Sequence, residues 1–415
     1  MKKLRYKLPN YLLFLFLLGI LVACNTEIQK KSSTNFLLNA LIAQSCVSLN
    51  DCFDRYARTT DEGANFQVYS STGVRVYSRS QTLDYSTYKP IASGSKWVTA
   101  VTVMRAIDCV AGTSTASCGI LTSCNTNGAI TLSTTTSNAL SWTGTKGDIT
   151  LRQLLSFTSG LNAGGTSGAG QASCISTLPS GAGDTEKDAC ANSIRDSSSG
   201  TPGQLFQYNS NHMAIAMRML EKKCSATWSQ IFTAAIVTPL GWDSSQAIWK
   251  GNFQSSTVTT DGSMSGAYGL TISSEHYIRM LSALLRNGTA SNASGDVTGF
   301  LSTNSVSEIL NDQYNGATIG YSQFAAFGYR WQYGLGNWRF CSTPSVPATC
   351  DTDLLSHSLG INGFYPFIDR NKGYYAILAV NNLGVKNSVA LLPATANSLF
   401  FVETVRSYIN ALLGK

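Results

Sequence analysis

Strand-like runs stand near the two ends of this 415-residue chain, and helical runs fill the middle. Near the start, "NFQVYSSTGVRVYSR" (65–79) reads as two β-branched and aromatic strands around the turn Ser71-Thr72-Gly73. In the last third, "FGYRWQYGLGNWRF", "GFYPFID" and "GYYAILAVNN" are strand-like, the last two joined by a hairpin turn over Asp369–Gly373. Between these, "KPIASGSKWVTAVTVMRAI" (89–107), "ITLRQLLSFTSGL", "NSNHMAIAMRMLEKKC", "WSQIFTAAIVTPLGW" and "SSEHYIRMLSALLRNG" space their apolar residues as helices do, and so does the late run "ANSLFFVETVRSYINALL". Such an order predicts an α+β domain, an α/β sandwich whose antiparallel sheet is built from the N- and C-terminal segments, flanked by helices, with a mainly helical region inserted. The domain is expected over 62–415, with the sheet from 62–110 and 320–415 and the helical region from 111–319. A Gly/Ser/Thr-rich insertion runs from Ala111 to about Gly147, and no internal repeat is present.

Residues 1–23 read as a targeting signal: Lys2, Lys3, Arg5 and Lys7 precede the apolar run "YLLFLFLLGILVA". That run is well short of the roughly 20 residues a spanning helix needs. Leu21-Val22-Ala23-Cys24 resembles the lipobox of bacterial lipoprotein precursors, which implies that Cys24 becomes the lipidated first residue of the mature chain. Several acyl chains on one Cys exceed the two signals that stable anchoring takes. The expectation is a cell-envelope protein, periplasmic or surface-exposed, held to the membrane by its lipid, with a tether and small disulfide loop over 24–61. Without the signal's four cations the formal charge falls from +7 to +3, so nothing points to a nucleic-acid partner. With 43% hydrophobic and only 13% charged residues, intrinsic disorder is excluded as well.

Besides Cys24 there are ten cysteines, an even number that suits disulfides in an exported chain. Short loops favour Cys46–Cys52, Cys118–Cys124, Cys174–Cys190 and Cys341–Cys350, leaving Cys109 with Cys224. No metal is expected, because the chain has no CxxC pair and only three His.

Ser93 and Lys96 stand three apart at the head of the first helical run, so they share a helix face. A free Ser is a weak nucleophile, and a Lys at its ordinary pKa is protonated; burial of the amine would make it a base. Competing chemistries lack their parts. G-x-S-x-G is absent, a Ser-His-Asp triad would have to use His212, His276 or His357, and neither a Walker loop nor a dinucleotide fingerprint occurs.

"IASGSKWVTAVTVMRAID" resembles the nucleophile helix of the serine β-lactamase and D,D-peptidase superfamily, in the branch that holds class C β-lactamases, esterases and 6-aminohexanoate-oligomer hydrolases. "ITLRQLLSFTSGL" is similar to that branch's "iTlrhLLtHTSGL", with Phe157 where His is usual. "GQLFQYNSNHMAIAMRMLEK" resembles the segment carrying the second catalytic motif, here Tyr208-Asn209-Ser210, and "TPLGW", "GAYGLTISSEHYIRMLSALLRNG" and "YGLGNW" follow in the expected order. The resemblance spans about residue 62 onward and implies the β-lactamase/transpeptidase-like fold, no cofactor, and three catalytic residues: Ser93, Lys96 and Tyr208. Ser210, in the Tyr-x-Ser form of the aminohexanoate-type enzymes, is expected to bridge Lys96 and Tyr208; as a bare pattern, "NSN" before a helix is also ordinary capping.

The third motif, Lys-Thr-Gly in penicillin-recognising members, falls within "SHSLGINGFYPFID". One register puts His357-Ser358-Leu359 there. The favoured one puts Ser358-Leu359-Gly360 there, followed by Ile361-Asn362-Gly363, so that the substrate strand is Gly360, Ile361 and Asn362 and the oxyanion donors are the N–H groups of Ser93 and Ile361. Either way the motif's Lys is missing, and with it a charge-assisted grip on a substrate carboxylate. His357 can supply part of that charge only when protonated. The expected function is hydrolysis of a small-molecule or peptide ester or amide through an acyl-enzyme; the alternatives are a D,D-peptidase or β-lactamase, or a non-catalytic binding protein of the same fold.

Overall fold

The computed structural model describes residues 46–162, 170–179, 181–250, 263–314, 316–324, 329, 331–341, 353–381 and 391–415. The expected signal, Cys24, most of the tether and Cys350 lie outside them. Helix α1 (Leu49–Ala57) is capped by Ser48, whose hydroxyl accepts from Asp51 N–H. It is followed by strands β1 (Ala64–Ser70) and β2 (Arg75–Gln81), then α2 (Ser95–Ala111), α3 (Asn211–Cys224) and α4 (Ser274–Leu285). Strands β3 (Gln332–Tyr333), β4 (Trp338–Arg339), β5 (Leu355–His357), β6 (Tyr365–Asp369) and β7 (Tyr374–Val380) precede α5 (Leu391–Leu412). The sheet order is β3-β4-β5-β6-β7-β1-β2, every pair antiparallel. The expected α+β architecture is what forms, with early and late segments meeting where Ala64–Ser70 pairs residue for residue with Val380–Tyr374.

Alternation along β1 explains how the sheet is sandwiched. Phe66 points to one face, where Phe401 of α5 meets it edge-on at 5.3 Å. Asn65 and Gln67 point to the other and are buried, yet both are satisfied by Ser274 at the start of α4: Gln67 donates to its hydroxyl at 3.1 Å, and that hydroxyl donates to Asn65 at 2.8 Å. Without Ser274 the Gln67 amide N–H and the Asn65 amide oxygen would lose this partner, at about 1–3 kcal/mol each, while Asn65 still donates to the carbonyls of Leu83 and Asp84 and the Gln67 oxygen still accepts from Tyr69.

Residues 46–61 are more than a loop on a tether. The Cys46–Cys52 disulfide opens α1, whose Phe53 is fully buried and whose Tyr56 hydroxyl bonds Ser398 of α5 at 2.7 Å. Disulfides Cys46–Cys52 and Cys174–Cys190 form as expected, but the other two within the helical region are exchanged: Cys109 pairs with Cys118 and Cys124 with Cys224. Helix direction is the reason. Cys109 lies in the last turn of α2 and meets the next loop, while Cys224 is the last residue of α3, far along the chain but beside Cys124. The expected Cys341–Cys350 pair involves a residue outside those described.

The helical run "ITLRQLLSFTSGL" yields only a five-residue helix, Leu151–Leu155, with Thr150 and Gln153 forming a capping box. Its chain then turns at Phe157, which adopts a φ of +59°. This turn, with the 3-10 turn Ala92–Gly94 ahead of α2 and the bend after β5, surrounds the candidate site.

Candidate active site

Ser93 lies in the 3-10 turn, just after Ala92 at φ +47°, and is half-buried. Lys96, in the first turn of α2, is 3% exposed and places Nζ 3.0 Å from Ser93 Oγ and 2.8 Å from the carbonyl of Ala267. Burial pushes its pKa from 10.5 down to about 7, so an appreciable share of the amine is uncharged near neutrality. The segment that caps it is laid close along α2: Thr99 donates to Gly266 O at 2.8 Å, and Leu270 N–H donates to Ser95 at 3.1 Å. A Cβ at Gly266 would lie 2.6 Å from Met217 Sδ, which accounts for glycine in "GAYGL".

Tyr208 arrives from the other side of the helical region, its ring 4.6 Å from Lys96 Nζ. Burial pushes its phenol well above the ordinary value, partly opposed by the Ser93 and Trp338 side chains beside it. Its ring is walled by Phe157 at 5.1 Å, Trp338 at 5.1 Å and Tyr333 at 6.1 Å. Ser210 caps α3 only in position: its hydroxyl accepts no capping bond, and the amine of Lys96 goes to Ser93 and Ala267 instead. The expected bridge through Ser210 is therefore not formed.

The bend after β5 brings the third-motif residues to the turn that carries Ser93. Ser358 donates to the backbone carbonyl of Ser93 at 2.9 Å, so the position that could have carried a cation carries a neutral hydroxyl turned onto the backbone of Ser93. Gly360 passes so close that a Cβ there would lie 2.5 Å from Ile91 O. Its N–H is consumed by Phe364 O at 2.8 Å, whereas Ile361 N–H makes no backbone bond among the described residues, which favours the register that reads Ser358-Leu359-Gly360 as the third motif. Asn362 donates to Pro90 O and to Asn381, which in turn donates to Glu62, locking this bend to the chain entering Ser93.

His357 does not reach the site. Consecutive strand residues face opposite ways, and Ser358 takes the face toward Ser93. His357 is 0% exposed among Trp331, Tyr365 and Phe324, at 4.9, 5.0 and 5.8 Å, with neither ring nitrogen hydrogen-bonded. Burial pushes its pKa to about 3, so it supplies no charge. One contact had no sequence signal: the Ser159 hydroxyl lies 2.7 Å from His212 Nδ1, joining positions 53 residues apart. Among the described residues no cluster of three or more His, Cys, Asp or Glu could hold a metal, and no helix is long and apolar enough to cross a membrane.

A half-buried Ser, a buried Lys in contact with it and a Tyr over that Lys, set between a helical region and an antiparallel sheet, fit a serine-hydrolase-type fold with a Ser-x-x-Lys pair. A family model described as Beta-lactamase matches residues 63–390, and the chain belongs to that family. Among solved structures it is similar to a beta-lactamase-like protein from Bacteroides dorei DSM 17855, with 21% identity over 87% of this chain and 98% of that one and a TM-score of 0.65. It is also similar to the octameric penicillin-binding protein homologue from Pyrococcus abyssi (13% identity, 86% and 78% covered, TM-score 0.57). A third is simvastatin synthase LovD from Aspergillus terreus (13% identity, 86% and 98% covered, TM-score 0.52). At these identities the likenesses speak for the fold alone. No curated protein sequence matches the chain.

Proposed function

We propose that this protein is a serine hydrolase that cleaves uncharged esters or amides through an acyl-enzyme on Ser93. The observation that carries the reading is the 3.0 Å contact between Ser93 Oγ and a Lys96 amine whose pKa burial has brought to about 7. Neutral Lys96 takes the Ser93 proton as Oγ bonds to the carbonyl carbon. The resulting oxyanion is held by the N–H groups of Ser93 and Ile361. As the tetrahedral species collapses, the C–O or C–N bond breaks and the leaving group takes a proton from Tyr208, which regains one from Lys96. Water then attacks the acyl-enzyme with the same groups in reverse order. The neutral Ser358 in the third motif supports a preference for substrates without a carboxylate at that point. By the lipobox of Cys24, the enzyme is tethered by lipid to a membrane of the cell envelope.

The second reading, an enzyme of penicillins or D-Ala-D-Ala peptides, is favoured by the family's description. Intact-mass acylation separates the two. Wild type and Ser93→Ala are exposed to p-nitrophenyl esters, small amides and penicillins. Adducts from neutral esters on wild type alone support the proposal. Adducts from penicillins with none from esters favour the second reading, and no adduct from any of them removes both.

A further inference from the structure

Tyr208 is the one member of the Ser93-Lys96-Tyr208 group carried on an irregular stretch, between a short strand ending at Gln207 and the start of α3. Its place therefore depends on what fixes its backbone. Gln207 N–H donates to Phe157 O at 3.0 Å and Tyr208 N–H to Tyr321 O at 3.1 Å. The carbonyl of Gln207, the group directly before Tyr208, is held by His212, whose Nε2 lies 2.9 Å away in the first turn of α3. A carbonyl only accepts, so Nε2 carries the proton and Nδ1 accepts the one donated by Ser159 at 2.7 Å. Ser159 is satisfied in turn, since it accepts from Leu161 N–H at 3.4 Å. Asn209 adds a longer bond to the same carbonyl, at 3.3 Å. The imidazole face also packs on Phe157 at 5.1 Å, the ring that walls Tyr208.

Ser159 and His212 are both 0% exposed, so this Ser-His pair meets no substrate and is not a second nucleophile site. We infer that His212 is a positioning residue: the relay Ser159 to His212 to Gln207 O sets where the Tyr208 hydroxyl stands, and so sets how well the leaving group is protonated. Burial, which pushes the His212 pKa to about 3, keeps the ring neutral, and the bonds to Ser159 and Gln207 fix its tautomer. The inference rests on the proposed role of Tyr208.

The test compares hydrolysis of phenyl butyrate and p-nitrophenyl butyrate, which differ only in how much the leaving phenoxide needs a proton. His212→Phe keeps a ring against Phe157 but loses both hydrogen bonds. His212→Gln returns an amide N–H within reach of Gln207 O, and Ser159→Ala removes the tautomer-fixing donor together with the long bond from Leu161 N–H. With each variant's melting temperature recorded, His212→Phe should lower kcat/KM, which reports acylation because both esters give the same butyryl-enzyme, about tenfold more for phenyl butyrate than for p-nitrophenyl butyrate. His212→Gln should recover most of that difference, and Ser159→Ala should show a weaker version of it. Equal losses on both esters, or no recovery in His212→Gln, would mean that His212 only stabilises the fold, and the inference fails. If His212→Phe does not fold, Ser159→Ala decides: an unaltered ratio of the two esters overturns the inference. Wild type inert toward both esters would instead defeat the reading of Ser93 and Tyr208, and the positioning role with it.

Discussion

The ring of Phe157 meets that of Tyr208 edge-on with 5.1 Å between centroids, although Phe157 holds a φ of +59° to do so. A left-handed conformation costs a bulky residue about 1–2 kcal/mol, offset here by complete burial against Tyr208, Tyr333 and His212. Phe157→Ala should lower unfolding free energy by about 3–5 kcal/mol in urea denaturation, and slow acylation of the folded fraction because Tyr208 loses its wall. A loss below about 1 kcal/mol would show that the cavity collapses and that the ring does not hold Tyr208.

Lys96 must be uncharged to accept the Ser93 proton, so kcat/KM should rise with pH through about 7 and level off above it. Lys96→Arg keeps a permanent charge and should lose about a thousandfold in rate at every pH. The same group ties stability to pH. Between about 7 and 10.5 the unfolded chain holds a proton on Lys96 that the folded chain has released, so the wild type gains stability as pH rises across that window. Relative to Lys96→Met, that gain should reach up to about 4 kcal/mol between pH 7 and pH 10, read from denaturant curves at matched pH. A constant difference between the two proteins would place the pKa of Lys96 near its ordinary value.

His357 acts at the other end of the pH scale. Its folded pKa of about 3 lies below the ordinary 6.5, so the unfolded chain binds a proton that the folded one refuses, and stability falls as pH drops through 6.5 toward 3. His357→Leu removes that liability along with two unpartnered nitrogens. At pH 4 the variant should be the more stable protein by up to about 3 kcal/mol, with a smaller difference at pH 7. Acid unfolding at the same midpoint and steepness as wild type would count against the buried neutral imidazole.

The Cys124–Cys224 disulfide closes a separation of 100 residues and Cys46–Cys52 one of 6. Loop-closure entropy then assigns about 5 kcal/mol to the first and about 2 to the second. The double variant Cys124→Ser/Cys224→Ser should therefore melt well below Cys46→Ser/Cys52→Ser. Equal melting temperatures would show that residual structure in the unfolded chain already holds α3 near the insertion.

Ser93 and Lys96 were legible because an i, i+3 spacing brings two residues together along a helical stretch, here a 3-10 turn that runs into α2. The sheet was legible in outline from strand runs near both ends. The third motif was readable only as two registers one residue apart, and the bond from Gly360 N–H to Phe364 O, which separates them, leaves no trace in sequence. His357 drew interest as a His beside that motif, yet strand alternation turns it to the aromatic face. The misassigned cysteines show the limit of loop length as a guide: it ignores that α2 and α3 carry Cys109 and Cys224 to their far ends. Ser159 and His212 meet only through tertiary folding, with no local pattern to announce them.

The pairing of β1 with β7 also fixes when the proposed chemistry could begin. A ribosome makes Ser93, Lys96 and Tyr208 well before Gly360, Ile361 and the strand Tyr374–Val380 that lies between β6 and β1. On the growing chain Ser93 and Lys96 stand without the bend that carries the proposed second oxyanion donor, and β1 lacks its β7 partner. On the proposed reading the chain is made inactive, and hydrolysis waits until this late strand closes the sheet against one of its earliest.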